Sequence, residues 1–465
     1  MASEPQPAPP PLDEDQEPGG GARADYRRVL DALRTEGLAS LASAVARHLS
    51  EHEVTFGGAP FVMDPVPRLI TAAEWDPVQR GLIQRAAALN AFLHDAYGER
   101  RIVAEGMIAA EVIDGAEGFE PDLRGRLPAG VAPAAVIGFD LVRDPDGEFL
   151  VLEDNLRTPS GMAYLLAARA ALTATLPAGL PAPQPITPLL EQLLRATLRA
   201  ALPPGRDRRP LIVLVTDGPG NVAYYEHSTL ARGLGIPLVT PEDLVRDGDS
   251  LLVRLPDCDE PEPVDVVYRR TDEDRVRDGD GRLTAIGELL VGPWCSGRLG
   301  LINAFGTGVA DDKLLHGHVE AFIRFYLGQE PVLRSVPTLA LDTPQAAAAV
   351  IDRLPELVVK PRHGHGGRGV VIGSRASRDE LARVADDLRA HPGEFIAQPI
   401  VPLSRHPTVI DGRLEPRHLD LRPFAFSDGA FHVLPGGLSR VAFDAGQMVV
   451  NSSQNGGGKD TWVMD

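Results

Sequence analysis

GFDLVRDPDGEFLVLEDNLRTPSG, residues 138–161, is the stretch that decides how the rest of the chain is read. Phe139–Arg143 and Glu148–Leu152 have the composition of two strands. Asp144-Pro145-Asp146-Gly147 between them has the composition of a tight turn. Side chains alternate faces along a strand, so Glu153 and Asn155 point the same way. A turn that pairs Arg143 with Glu148 puts Asp140 on that face too. Two carboxylates and an amide oxygen then converge at one end of a hairpin, and hard oxygen ligands of this kind suit Mg²⁺ held between protein and nucleotide phosphates. An exposed acidic hairpin is the plainer alternative. Leu150 and Leu152 weigh against it, because a buried strand does not end in an unpaired charge cluster without a reason.

Downstream, Val358-Val359-Lys360-Pro361 reads as a strand that delivers a lysine into Arg362-His363-Gly364-His365-Gly366-Gly367-Arg368-Gly369. Glycines let backbone N–H groups approach phosphate oxygens without a Cβ in the way, and the lysine adds a point charge. The order is not that of a P-loop, and no helix starts inside the loop as a dinucleotide fingerprint requires. A flexible hairpin turn is the rival reading. Gln398 closes a strand at Phe395–Pro399, a place from which backbone groups can read an adenine, although an ordinary strand end has the same composition. Asp311-Asp312-Lys313 opens a helical stretch that runs to Leu327, with its acids at the favourable end of the dipole; Lys313 pairing with these acids is the plainer reading of its charge. In Arg417–Pro423 one strand face carries His418, Asp420 and Arg422, which is a site-like pattern or a solvated sheet face.

Around these motifs the pattern alternates. Residues 25–97 are largely helical by apolar spacing, with Asp76 as N-cap and Pro77 opening one helix. Met162–Leu172 and Leu189–Ala201 read as helices. Leu211–Val215, the turn at Asp217–Gly220, helix Tyr224–Leu234 and strands at Pro237–Val239 and Val264–Tyr268 make an open α/β unit. From Arg417 to Val463 the chain reads as a meander.

The whole chain has 465 residues, enough for two or three domains, with 43% hydrophobic and 24% charged residues. A net charge of −19 argues against non-specific binding to nucleic acid or an anionic membrane. The two cysteines, Cys258 and Cys295, form no disulfide framework or zinc motif, and the histidines show no metal spacing. No apolar run approaches the roughly 20 residues of a membrane helix, and no basic stretch followed by an apolar core opens the chain. The expectation is a cytoplasmic enzyme.

Taken in order, Gly138–Gly161, Gly218–His227, Val264–Arg270, Ile302–Lys313, Val359–Gly369, Arg417–Pro423 and Val450–Trp462 resemble the circularly permuted ATP-grasp family, the group related to the ligase half of glutathionylspermidine synthase. The metal acids precede the phosphate lysines, the inversion that marks the permutation. The resemblance implies an α/β (α+β) permuted ATP-grasp fold with an open α/β pre-grasp domain and an N-terminal helical segment. It implies a disordered tail over 1–24, a mostly helical segment over 25–135, and the metal-binding hairpin and helix over 136–176. An α/β acceptor side over 190–310 and nucleotide-binding lobes over 311–465 complete it.

By position, the resemblance implies ATP phosphates on Lys313 and Lys360, a lid of Gly364, Gly366, Gly367 and Gly369, and adenine at Gln398. Mg²⁺ falls on Asp140, Glu153 and Asn155. Arg157 faces an acyl phosphate or acceptor, Arg422 is a further phosphate cation, and Asn303, Tyr225 and Arg269 are acceptor-side candidates. The implied reaction joins a small-molecule or peptide carboxylate to an amine through an acyl phosphate, with ATP and Mg²⁺ as cofactors. Partner proteins encoded with it are part of the same expectation. An ATP-grasp kinase and a non-catalytic nucleotide-binding partner protein remain open as rivals.

Overall fold

The computed structural model describes residues 9–464 apart from 18, 206–207, 365–368 and 449–455. The hairpin stands at its centre. Val136–Arg143 and Phe149–Asn155 pair antiparallel inside a five-stranded sheet, flanked by Arg334–Ser335 on one side and by Phe424–Ser427 and Phe431–Val433 on the other. All eight residues of the first strand are buried.

The register differs from the one the turn composition suggests. Arg143 pairs with Phe149 rather than Glu148, and the pairing shifts by one between Asp140 and Leu141, so that Asp140 faces Glu153 and Leu141 faces Val151. Leu152 is left without a partner, which makes it a β-bulge. The bulge reverses the alternation of faces beyond it. Val142 and Leu150 share one face and one apolar cluster. Asp140, Glu153 and Asn155 then lie on that same face, while Asp154 turns to the other. The acids meet as expected, by a different register.

A second sheet, ordered Leu339–Ala340, Phe395–Pro399, Leu357–Pro361 and Val371–Ile372, carries Lys360 and Gln398. Its own apolar cluster includes Leu357, Val359, Ala397 and Leu388. The two sheets are joined through Arg334–Ser335, which pairs parallel with Phe149–Asn155 four residues before Leu339 begins the second sheet. A third sheet is parallel, ordered Gly300–Ile302, Val266–Arg270, Ile212–Thr216 and Leu238–Val239, with helix Tyr224–Leu234 as a crossover. Its Asn303 accepts a hydrogen bond from Val136 N–H at 3.0 Å and donates to the Val136 and Leu156 carbonyls, which docks this sheet on the hairpin.

The long helix Ala72–Tyr97 backs the hairpin. Its N-cap is Thr71, not Asp76: the Thr71 hydroxyl accepts from Glu74 N–H and the Glu74 side chain returns to the Thr71 N–H. This Thr-x-x-Glu capping box satisfies two orphan donors, more than Asp76 could, and Pro77 lies inside the helix. The helical stretch expected over 311–327 is broken. Asp312 caps a short helix at Lys313–His316, and Val319–Phe322 and a π-turn at Ile323–Leu327 follow. The expected C-terminal meander closes non-locally, because Gly456–Met464 pairs parallel with Arg68–Thr71.

The acidic tail is corrected in part. From residue 9 it is described, and Glu14 is fully buried against Arg68, with Oε1–Nη2 at 2.5 Å. Composition hides this, because the segment is held by partners remote in sequence: Glu14 by Arg68 and Ser404, and Asp13 by Arg405. Asp64 with Lys459 and Asp460 with Arg169 are further buried pairs, both involving the C-terminal strand. Breaking a buried pair leaves a charge with no counter-ion, which costs roughly 3–5 kcal/mol. We therefore predict that Arg68→Met lowers stability to urea by about that amount, and that Arg68→Met/Glu14→Gln recovers most of it. Equal loss in the single and double variants would show that the pair itself is not what holds the segment.

Candidate functional site

The two sheets meet at a pocket lined by Leu152, Glu153, Asp311, Lys313, His316, Lys360, Ile396 and Gln398. Leu152 and Glu153 come from the bulged strand; the bulge is what turns two consecutive residues toward the same wall. Lys360 and Gln398 come from adjacent strands of the second sheet, where Lys360 pairs with Ile396 and Val358 with Gln398. Lys313 and His316 lie three apart on one helical turn, hence on one face. Glu153, Lys313, Lys360 and Gln398, far apart in sequence, are thus brought into one cavity.

The electrostatics of the pocket are strongly perturbed. Desolvation pulls the Lys360 ammonium down to about 8, with Glu153 and Asp140 opposing and Lys313 assisting. Lys313 reaches Glu153 Oε1 at 3.7 Å and donates to the Gly364 carbonyl at 2.6 Å, so the start of the glycine loop folds over it. Gly364 and Gly369 have φ of +97° and +73°, conformations that favour glycine. Gly366 and Gly367 lie outside the described residues. Gln398 donates to the Thr338 hydroxyl at 3.0 Å.

Asp140 sits beside the pocket rather than in its wall. It is buried, and Arg422 grips it with Nε at 2.6 Å and Nη2 at 2.8 Å, while Arg440 adds a contact at 2.8 Å. Burial alone would raise its pKa, but the two guanidinium groups outweigh burial and hold the carboxyl well below the usual range. Arg440 also grips Asp420, so the polar face noted at Asp420 and Arg422 is a buried charge network. Sequence reading missed Arg440; the signal was a lone charged residue in the otherwise uncharged strand Leu438–Ala442.

The three residues expected to hold Mg²⁺ carry oxygen donors of the type a hard cation takes, and both Asp140 oxygens are engaged by Arg422 and Arg440. Asp140 and Glu153 are cross-strand partners, Asn155 shares their face, and the Asn155 amide Nδ2 is buried with no hydrogen-bond partner among the described residues. Among the described residues no cluster of three or more His, Cys, Asp or Glu side chains forms a metal site. The set here has two acids and an amide.

Arg157 lies outside the pocket wall. Its Nε reaches Asp311 at 3.0 Å and its Nη1 reaches Asp274 at 3.4 Å. Asp311 was read from sequence only as a helix-start acid. It accepts from Leu156 N–H at 2.6 Å, and burial pushes its carboxyl up to about 6 against the pull of Arg157. On the parallel sheet, Arg269 lies over the Phe305 ring at 4.8 Å, and the Tyr225 ring is 5.5 Å from Tyr164. Asn303 is consumed by the docking bonds described above.

The sequence profile of the family described as circularly permuted ATP-grasp type 2 matches residues 67–442. A Frankia casuarinae protein named "Putative glutamate--cysteine ligase 2-2" is 40% identical over 455 residues, 96% of this chain and 52% of that protein. The chain therefore spans about half the length of that relative. A Synechocystis sp. protein named "Uncharacterized protein sll0335" is 43% identical over 410 residues, 87% of this chain and 84% of its own length. A glutathione synthetase-like effector from Globodera pallida superposes with a TM-score of 0.55 at 13% identity, covering 92% of this chain and 97% of that chain; at that identity the likeness is one of fold. Among the described residues, no helix is long and apolar enough to cross a membrane.

A lysine with a pKa of about 8 gives a direct pH signature. The ammonium, present below that pH, attracts phosphate; the neutral amine above it does not. If Lys360 meets nucleotide phosphates, as the resemblance implies, ADP affinity is expected to be level below pH 8 and to fall above it by up to about tenfold per pH unit. Lys360→Met should bind more weakly and with a flatter profile. Calorimetric titration across pH 6.5–9.5 checks this, and an identical profile in the variant would remove Lys360 from the phosphate site.

Proposed function

This chain belongs to the circularly permuted ATP-grasp type 2 family, and on that footing we propose that it is an ATP-dependent carboxylate–amine ligase working through an acyl phosphate. The observation that carries the proposal is the single pocket between two sheets where Lys313, Lys360, Glu153 and Gln398 meet, with Asp140 and Asn155 on the Glu153 face. The name "Putative glutamate--cysteine ligase 2-2" of the Frankia relative, 52% of whose length this chain matches, is consistent with amide formation as the reaction class. It does not carry substrate identity to this chain.

In this reading Lys313 and Lys360 hold the ATP phosphates, Gln398 lies at the adenine end, and the loop beginning at Gly364 closes over Lys313. Asp140, Glu153 and Asn155 would hold Mg²⁺, which offsets charge on the transferring phosphoryl oxygens when bound. Arg422 serves the phosphates once its carboxylate partner Asp140 is otherwise engaged. Arg157, anchored on Asp311 and Asp274, faces the acyl phosphate or the acceptor. A carboxylate attacks the γ-phosphoryl group, ADP leaves, and an amine displaces phosphate from the acyl phosphate to give the amide. Closing the loop excludes water that would hydrolyse the intermediate. The 190–310 region forms the acceptor side, 311–465 the nucleotide lobes, and the substrates are small-molecule or peptide carboxylates and amines.

The test is ADP release by the purified protein with Mg²⁺, a panel of carboxylates, and hydroxylamine as the amine. Hydroxamate formation would reveal the acyl phosphate. Glu153→Gln is expected to lower turnover by roughly 10²–10³-fold, the scale of losing one preorganised electrostatic group, with an unchanged circular dichroism spectrum. ADP formed with a stable phosphorylated product and no hydroxamate would overturn the ligase reading in favour of a kinase. Undiminished turnover in the variant would overturn the metal assignment.

A further inference from the structure

Among the described residues, His316 is the one titratable side chain of the pocket wall that the proposed roles leave unused. Its Nδ1 lies 2.8 Å from Asp154 Oδ2 and 3.2 Å from Arg85 Nη2. Asp154 is gripped by Arg85 through two bonds, at 2.6 and 2.7 Å, and Arg85 also donates to the Ser335 hydroxyl at 3.0 Å. All three side chains are buried, with 1% of Arg85, none of Asp154 and 5% of His316 exposed. On the far side of the ring, Nε2 is buried with no hydrogen-bond partner among the described residues. The same ring forms part of the pocket wall with Lys313, Lys360 and Gln398.

The tautomer follows from the partners. Both Asp154 oxygens take N–H bonds from the Arg85 guanidinium, so toward His316 the carboxylate is the acceptor. Nδ1 therefore carries the ring proton. An imidazole with its proton on Nδ1 offers Nε2 as a lone-pair acceptor. A buried acceptor left empty is unfavourable, and such atoms call for a partner.

We propose that His316 is a nucleotide-specificity residue whose Nε2 accepts a hydrogen bond from a neutral donor of the bound nucleotide, a ribose hydroxyl or the adenine 6-amino group. This rests on the nucleotide-pocket reading above. Arg85 and Asp154 act through His316, as positioning residues that fix its tautomer and ring orientation. The arrangement has one further consequence. Arg85 belongs to the helix Ala72–Tyr97, so a segment outside both pocket sheets sets how the pocket reads its ligand.

His316→Asn is the sharp variant. Its amide N–H can stand where Nδ1–H stands and keep Asp154 satisfied, while the Nε2 acceptor is lost. His316→Phe keeps the ring volume without either nitrogen. The probes are ATP, 2′-deoxy-ATP, 3′-deoxy-ATP and purine riboside triphosphate, which lacks the 6-amino group, measured by calorimetry on the full chain. The wild type is expected to disfavour one class of analogue by roughly tenfold relative to ATP, the scale of one hydrogen bond. His316→Asn should bind ATP about as weakly as the wild type binds that analogue, and the analogue itself without further loss. Discrimination lost for the deoxy analogues assigns the ribose, and discrimination lost for the purine riboside assigns the base; either supports the proposal. Normal ATP binding with the same analogue ratios in wild type and His316→Asn would overturn it while leaving the nucleotide pocket standing. No ATP binding by the wild type would overturn both. If His316→Asn proves unstable, the His316→Phe ratios decide in the same way.

Discussion

The bulge at Leu152 is the constraint on which the site depends. Had the pairing continued in the register set by Arg143 and Phe149, Asp140 would face Leu152, and Glu153 would turn to the side of Phe139 and Leu141, inside the apolar core. One residue without a partner moves Glu153 and Asn155 to the pocket side and sends Asp154 the other way. Every polar contact on both faces follows from that shift: Glu153 toward the lysines, Asp154 toward Arg85 and His316. A strand edge would tolerate such an irregularity with little consequence. In the middle of a sheet it redirects three polar residues at once.

Charge is handled in layers. Lys313 and Glu153 are partly exposed to the pocket, while Lys360 is desolvated beside them with its carboxylate neighbours offsetting only part of that cost, which is why its pKa moves down. Behind them, Asp140, Arg422, Arg440 and Asp420 form a closed network in which each carboxylate has at least one guanidinium. Behind the other face, Arg85, Asp154 and His316 do the same. Buried pairs of this kind are weak evidence for net stability, because desolvation offsets their attraction. What they supply is fixed orientation, and here the orientations converge on one cavity between two sheets. The Glu14–Arg68, Asp64–Lys459 and Asp460–Arg169 pairs play the corresponding part away from the pocket, tying the N-terminal segment and the C-terminal strand into the same body.

The sequence by itself determined the strands, the hairpin and the order of acids before lysines. These rest on local signals: alternation, turn composition, a lysine at a strand end. The fold, and the joint placing of Glu153, Lys313, Lys360 and Gln398, came from the resemblance of these pieces in order to the permuted ATP-grasp family, not from any one local signal. The capping box at Thr71 and Glu74 was equally legible, a Thr-x-x-Glu pattern overshadowed by the nearby Asp-Pro. Only the tertiary structure decided the bulge, since a one-residue slip leaves composition unchanged. It alone paired Asp140 with Arg422 and Arg440, which lie roughly three hundred residues away along the chain, and buried Glu14 in a segment whose composition reads as disordered. It alone turned His316 from one of twelve histidines into a wall residue with one nitrogen engaged and one empty. The physical reason is common to all of these: local propensity fixes which elements form, while partners remote in sequence fix where each charged atom points and what it meets there.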